Sequence, residues 1–271
     1  MNITTENAKL QPLRIMSYNV LLDFFKEGRE PDFTVELEAS IREQDPDIIG
    51  TQETIADMHD KCLGNLEEYT CFFGEAYTEN NRRGNYIYWK TSKFNLLESG
   101  HRYMSDTPTV RSKYERSREY RGFNYLLLES RETGRKLLFL NLHADYRADE
   151  DTRVLQLKTV SAFLEDEKWA GLPAIVVGDF NSTADQACIP AFLKSSPRMG
   201  MTSELAEVKG DTGSTLVGSG FTKRIIPYVF DYIFVTKDLI STKYYSAIDN
   251  VKNGKYPSDH LPVYGEITIF Y

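Results

Sequence analysis

The chain has 271 residues, 41% of them apolar and 13% aromatic, enough to bury one large core. Its formal charge of −8 excludes duplex nucleic-acid binding driven by charge alone, because that affinity comes largely from counterions displaced at phosphates. Three cysteines with no CxxC spacing exclude a disulfide framework or a thiolate zinc site, and no apolar run reaches the length of a membrane span.

Residues 1–12 are polar and lack the apolar run of a signal peptide, so they read as a tail before one domain over 13–271, in a soluble, cytoplasmic monomer. Residues 13–20 alternate as a first strand, with Leu13, Ile15, Ser17 and Asn19 on one face. Residues 33–42 space apolar groups at 33, 37 and 41, a helical period, and Pro46 bars its continuation. Residues 47–53 read as a second strand ending on Glu53, with a helix over about 54–66 behind it. Residues 69–74, 86–90 and 94–100 read as further strands. Arg82 and Arg83, in the loop before Asn85, form a solvated turn or face an anion. Residues 101–121 are the least regular part, with Arg111, Lys113, Arg116, Arg118 and Arg121 interleaved with Tyr114 and Tyr120. This reads as a mobile surface loop for most of its length, or as a basic, aromatic rim for an anionic substrate.

Residues 122–129 and 136–143 read as an antiparallel pair whose second strand ends with Asn141 and His143 on one face. An amphipathic helix with an acidic start follows over 149–167. Residues 174–177 are a short apolar strand, and Gly178 then lets the backbone turn. Asp179 and Asn181 follow at i and i+2, which in an extended chain share a face. Such a pair at the end of an apolar strand is costly unless it meets a partner, although an Asx turn also fits. A shorter helix covers 185–193, and the glycine-rich loop 210–220 lacks GxxxxGK[ST]. Residues 228–235 form an apolar strand that carries Asp231, whose burial demands a histidine, a cation or backbone donors. Asp259 and His260 sit between Pro257 and Pro262 in a stiff loop before a final strand. Helices fall between more numerous strands, which predicts two sheets face to face with helices outside.

Ser17-Tyr18-Asn19, Gln52-Glu53, Asn141-Leu142-His143, Gly178-Asp179-Phe180-Asn181, Asp231-Tyr232-Ile233 and Ser258-Asp259-His260-Leu261-Pro262-Val263 occur in that order. The set resembles the motifs of the endonuclease/exonuclease/phosphatase superfamily, the DNase I-like metal-dependent phosphohydrolases, from about 13 to 269. The resemblance implies an α/β fold, a four-layer α/β/β/α sandwich of two packed mixed sheets. It implies that Glu53 binds a divalent metal with Asn19 and Asp259 close by. Asp179 would orient or deprotonate water, and Asn181 would hold the nucleophile or phosphate. His260, held by Asp231, would contact phosphate, and His143 would support the phosphoryl oxygens or the leaving group. Asn85, Asn141, Arg118 and Arg121 are the candidates for substrate contact. Hard oxygen ligands suit Mg²⁺ or Mn²⁺.

Two departures bear on substrate. Many relatives carry Gly-Glu just before the strand containing Asn85, where this chain has Arg82-Arg83, and no acidic partner for His143 is evident. The loop over 214–221 also differs from the Thr-Phe-His-Gly-Phe of some relatives. The reading is a metal-dependent phosphoesterase for a small or flexible phosphoester, with a nuclease for abasic DNA or single strands as the alternative. Net charge disfavours a nucleic-acid partner. A non-catalytic scaffold is argued against by the presence of every expected ionisable group.

Overall fold

The computed structural model describes residues 11–20, 32–76, 83–217, 227–252 and 256–270. Arg82 and residues 218–221 of the glycine-rich loop, singled out above, lie outside them. In chain order the elements are β1 (Gln11–Asn19), α1 (Asp32–Gln44), β2 (Ile48–Thr54), α2 (Ala56–Lys61), β3 (Tyr69–Ala76), β4 (Gly84–Lys90), β5 (Phe94–Tyr103), β6 (Gly122–Ser130) and β7 (Lys136–His143). There follow α3 (Glu150–Leu164), β8 (Ala174–Asp179), α4 (Cys188–Ser195), β9 (Met199–Met201), α5 (Thr202–Leu205), β10 (Val208–Lys209), β11 (Asp231–Thr236), β12 (Ile240–Ala247) and β13 (Val263–Ile269).

The strands form two mixed sheets, ordered β10-β12-β13-β1-β2-β4-β3 and β5-β6-β7-β8-β11-β9. Three apolar clusters define the layers. Leu13, Ile15, Ile48 and Ile87 of the first sheet pack against Phe139, Ile175, Val177 and Ile233 of the second. The outer face of the second sheet, with Leu138, Leu140, Val176 and Phe234, meets Leu157 and Val160 of α3 and Ile189 and Phe192 of α4. The outer face of the first, with Met16, Tyr18, Ile49 and Tyr88, meets Leu37 and Ile41 of α1 and Met58 of α2. Helix, sheet, sheet and helix are the four expected layers.

Several boundaries differ from the sequence reading. β1 starts at Gln11, so the last two residues of the expected tail pair with β13. α2 stops at Lys61 and a 3₁₀ turn over Leu63–Asn65 replaces its expected second half. α4 starts only at Cys188, because Thr183 bonds Asp185 and Gln186 in a turn before it. Residues 104–121 are tied down: Tyr114 Oη bonds Thr159 at 3.0 Å, and Gln156 donates to Ser117 Oγ at 3.1 Å. The α3 N-cap is Asp149, which accepts from the Thr152 N–H at 2.9 Å.

β1 and β2 run parallel, as do β7 and β8, so their C-terminal ends reach one rim. The antiparallel β11 and β13 begin at that rim. Gly178 is needed to bring β7 and β8 together there. Its φ is +153°, and a Cβ would sit 2.2 Å from the Leu142 carbonyl oxygen. Replacing Gly178 by Ala should therefore cost about 2 kcal/mol or more, through backbone strain and overpacking beside the His143–Asp179 pair. A urea midpoint equal to wild type would show that the backbones can part at no cost.

Candidate active site

Side chains alternate along a strand. Ile15 faces the space between the sheets, so Ser17 and Asn19 continue that face to the rim. Ile175, Val177 and Asp179 repeat the pattern on β8, and Asp231, Ile233 and Val235 on β11. The candidate site is thus the polar end of the inter-sheet core. Glu53 breaks the alternation: Ile48 faces inward and Ile49 outward, which would turn Glu53 toward the helices. An irregularity between Thr51 and Thr54, with Glu53 at φ 59°, redirects it.

Asp179 lies at the centre and is 1% exposed. Its Oδ1 accepts the Asn181 N–H at 2.8 Å and its Oδ2 accepts Asn19 Nδ2 at 3.0 Å. The same Oδ2 is 3.4 Å from His143 Nε2 and 3.8 Å from His260 Nε2. His260 Nδ1 bonds Asp231 Oδ2 at 2.9 Å, giving the carboxylate inside the apolar strand its partner. Ser258 Oγ donates to the Asn19 carbonyl at 2.6 Å and accepts the His260 N–H at 3.1 Å, which fixes the stiff loop on the end of β1. Asn19 Nδ2 is also 3.5 Å from Glu53 Oε1. With Asp259 Oδ1 3.9 Å from His260 Nε2, the residues Asn19, Glu53, His143, Asp179, Asn181, Asp231, Asp259 and His260 share one rim. Asn181 is anchored there by its Nδ2 bond to the Ala144 carbonyl at 3.1 Å.

Three of the four candidates for substrate contact are buried and hydrogen-bonded inside the protein. Asn141 is fully buried; its Nδ2 donates to the Thr51 and Tyr86 carbonyls, each at 2.8 Å, and its Oδ1 accepts Gln52 Nε2 at 2.7 Å. It staples the two sheets together behind the rim, in space that a Cβ on Gly50 would fill at 2.8 Å from its Cγ. Asn85 is buried too, donating to the Gly122 carbonyl at 3.0 Å and the Asn141 carbonyl at 3.4 Å. Arg121 is 1% exposed and bonds His143 Nδ1 at 2.8 Å, so it stands behind the histidine instead of facing solvent. Arg118 has an exposed side chain, and its backbone N–H is what the structure holds, on Asp145 Oδ2 at 2.6 Å.

Sequence reasoning missed Asp145 and Glu119. Asp145 is buried and also accepts the Glu119 N–H at 3.0 Å and the Arg147 N–H at 3.0 Å, joining the 104–121 segment to the end of β7. Its place two residues beyond His143 was the available signal. Glu119 Oε2 lies 3.0 Å from both Arg83 and Arg121, and Arg83 reaches to 3.8 Å from Glu53. No residue-type pattern marks that chain.

The electrostatics divide the two histidines. Burial pushes His143 well below its ordinary value, and the Arg121 charge adds to the shift. Burial works against protonated His260 as well, but the charges of Asp231 and Asp259 overcome it and raise it well above the ordinary value. Burial and the nearby Asp231 charge raise Asp179. Burial raises Asp259, with the Glu53 charge contributing. In the metal-free protein, a raised His260 contributes stability that is complete below about pH 6.5, the ordinary histidine value. That stability is lost as pH rises through the folded-state value. The stability difference between wild type and Asp231→Asn should accordingly shrink on going from mildly acid to alkaline pH, followed by urea unfolding with chelator. A difference that grows with pH would contradict the assigned charge.

Solved structures with this fold include an endonuclease/exonuclease/phosphatase family protein from Bacteroides thetaiotaomicron, 24% identical with 97% of each chain covered and a TM-score of 0.84. A mannosyl-6-phosphatase from the same bacterium is 26% identical, with 94% of this chain and 99% of that one covered and a TM-score of 0.81. Carbon catabolite repressor protein 4 homolog 3 of Arabidopsis thaliana is 27% identical over 171 residues, 61% of this chain but 36% of that protein, so the chain spans about a third of its length. The model of the Endonuclease/Exonuclease/phosphatase family matches residues 16–260, a span that runs from just before Asn19 to His260. With that match and this rim, the chain belongs to the endonuclease/exonuclease/phosphatase family.

Proposed function

We propose that the protein is a divalent-metal-dependent phosphoesterase that hydrolyses a small or flexible phosphoester, such as a nucleotide, sugar or lipid-derived phosphate. The observation that carries this is the meeting of Asp179 Oδ2 with two imidazoles, at 3.4 Å and 3.8 Å. A proton acceptor flanked by two groups able to stabilise an anion is what attack of water on phosphorus requires.

The donor set fits a hard cation. Asp259 Oδ1 is buried and accepts no hydrogen bond, and Glu53 lies near enough for its charge to act on Asp259. Asp179, Asp231 and His260 also place ligand atoms within 4.8 Å of one another, but His260 Nδ1 is committed to Asp231. We therefore assign Glu53 and Asp259, with Asn19 beside them, as the residues that would hold Mg²⁺ or Mn²⁺. Such a cation would polarise a phosphoryl oxygen and stabilise the leaving oxygen.

Asp179 takes the proton of the attacking water, and its raised proton affinity suits a general base. Asn19 and the Asn181 N–H aim its carboxylate. His260, kept charged by Asp231, offsets the negative charge that grows on phosphorus-bound oxygens. The likeness to a phosphatase of a sugar phosphate supports the small-substrate reading. The nuclease alternative relied on Arg116, Arg118 and Arg121. Arg116 is spent on Asp149 at 2.8 Å and Arg121 is buried, which weakens it.

No helix among the described residues is long and apolar enough to cross a membrane. The test is a panel of nucleotides, sugar phosphates, phospholipid head groups and short oligonucleotides with Mg²⁺, Mn²⁺ or chelator, scored for released phosphate or shortened product. Activity should need the metal, and Asp179→Asn or His260→Ala should lower kcat by about 10²-fold or more in protein that keeps its fold. Wild-type turnover in both variants would remove the proposed site, and turnover of oligonucleotides alone would replace the small-substrate reading.

A further inference from the structure

We propose that Arg121 is a positioning residue that fixes His143 in one tautomer, with its proton on Nε2, so that His143 presents one hydrogen-bond donor to the site. The catalytic part of this inference rests on the function proposed above; the tautomer does not.

The argument starts from what a guanidinium can do. It has five N–H donors and no acceptor, and it does not give up a proton in a protein. Arg121 Nη1 lies 2.8 Å from His143 Nδ1. Only the histidine can accept in that bond, so Nδ1 presents a lone pair and the ring proton belongs on Nε2. Neither group can turn away, since each is 1% exposed. The arginine is also held from its other side, with Nη2 3.0 Å from Glu119 Oε2. Glu119 in turn lies 3.0 Å from Arg83.

The far nitrogen agrees with this placement. Nε2 is 3.4 Å from Asp179 Oδ2 and 4.0 Å from Glu53 Oε1. A lone pair aimed at two carboxylates would be repelled, whereas an N–H is welcome there. A second ring proton would stand directly against the guanidinium, and burial already weighs against a charged ring. His260 is the internal contrast, because its Nδ1 faces Asp231, which has only acceptors when ionised.

The consequence is a division of labour. Positive charge on the His143 side of the site sits on Arg121, one residue removed from the substrate, and cannot leave as a proton. His143 contributes direction through one N–H.

The experiment uses the full chain. It has four histidines, so long-range ¹H–¹⁵N spectra of the metal-free, ¹⁵N-labelled protein are tractable, with His143→Gln supplying the assignment. Near neutral pH the His143 ring should show one protonated nitrogen, Nε2, and a bare Nδ1. Arg121→Met should populate the Nδ1–H form; if that variant does not fold, the wild-type spectrum decides alone. A protonated Nδ1 in wild type, in either a neutral or a charged ring, overturns the proposal.

Activity is read on bis(p-nitrophenyl) phosphate and p-nitrophenyl phosphate with Mg²⁺ or Mn²⁺. A glutamine amide can place an N–H near the position of Nε2–H, so His143→Gln should stay within about tenfold of wild type. His143→Ala should lose about 10²- to 10³-fold, the usual effect of deleting one preorganised donor. A glutamine variant as impaired as the alanine variant overturns the donor role. A wild type that cleaves none of the panel counts against the proposed function alone, since the spectra still decide the tautomer.

Discussion

Asp179 and Asp231 stand directly opposite each other across β8 and β11, and both are buried. Two carboxylates held this way out of water resist ionising together, and the desolvation of each costs several kcal/mol unless it is compensated. The surroundings are arranged around that problem. His260 bonds Asp231, and Asn19 and the Asn181 N–H bond Asp179. The compensation is uneven: Asp231 is bonded directly by the imidazole, while Asp179 is bonded by neutral donors, has the same imidazole only at 3.8 Å, and keeps a raised proton affinity. The fold thereby places a carboxylate of raised proton affinity between two imidazoles, and its burial is the larger cause of that shift.

Much of this was legible because strands alternate. A polar residue that continues an apolar face past the core must emerge at the rim, and Asn19, Asp179 and Asp231 do so. Where a strand breaks its period, the reading fails. Glu53 has the wrong parity and reaches the rim only through the irregularity in β2, at a left-handed residue that is not a glycine and so leaves no local mark. β12 escaped for the same reason. Its register shifts between Thr242 and Tyr244, so Ile240 faces the core in one phase and Tyr245 and Ala247 in the other. Depth is a separate matter. Asn141 has the parity of His143 but lies one pleat further in, between the sheets. The stagger of the two sheets decides that, and neither strand encodes it alone.

Charge in the 104–121 segment could be counted from the sequence but not allotted. Five cations among aromatic residues suggested a surface for an anion. In the fold, Arg116 faces Asp149 at 2.8 Å, Arg111 lies 4.7 Å from the centre of the Tyr120 ring, and Arg121 is drawn inward to His143. Asp145 anchors the backbone at Arg118 and Gln156 anchors the Ser117 side chain, through bonds that span 27 and 39 residues of sequence. Pairing at such separation is a property of the packed loop, and the local sequence of the stretch does not carry it.

The division between strand ends and loops also separates what the core fixes from what connecting segments supply. The candidate site residues are carried by β1, β2, β7, β8, β11 and the stiff loop before β13, and the strands among these are held in register by the inter-sheet core. Moving any of them would require repacking Ile15, Ile175, Val177 or Ile233. The groups behind and around them, Arg83, Glu119, Arg121 and Asp145, come from connecting segments and are joined by side-chain bonds that loop changes can rewire. In this chain the rewiring reaches His143 itself: a cation stands at the nitrogen where relatives led us to expect an acid. The sheets can therefore keep an imidazole in the same place while a neighbouring loop decides which nitrogen carries its proton.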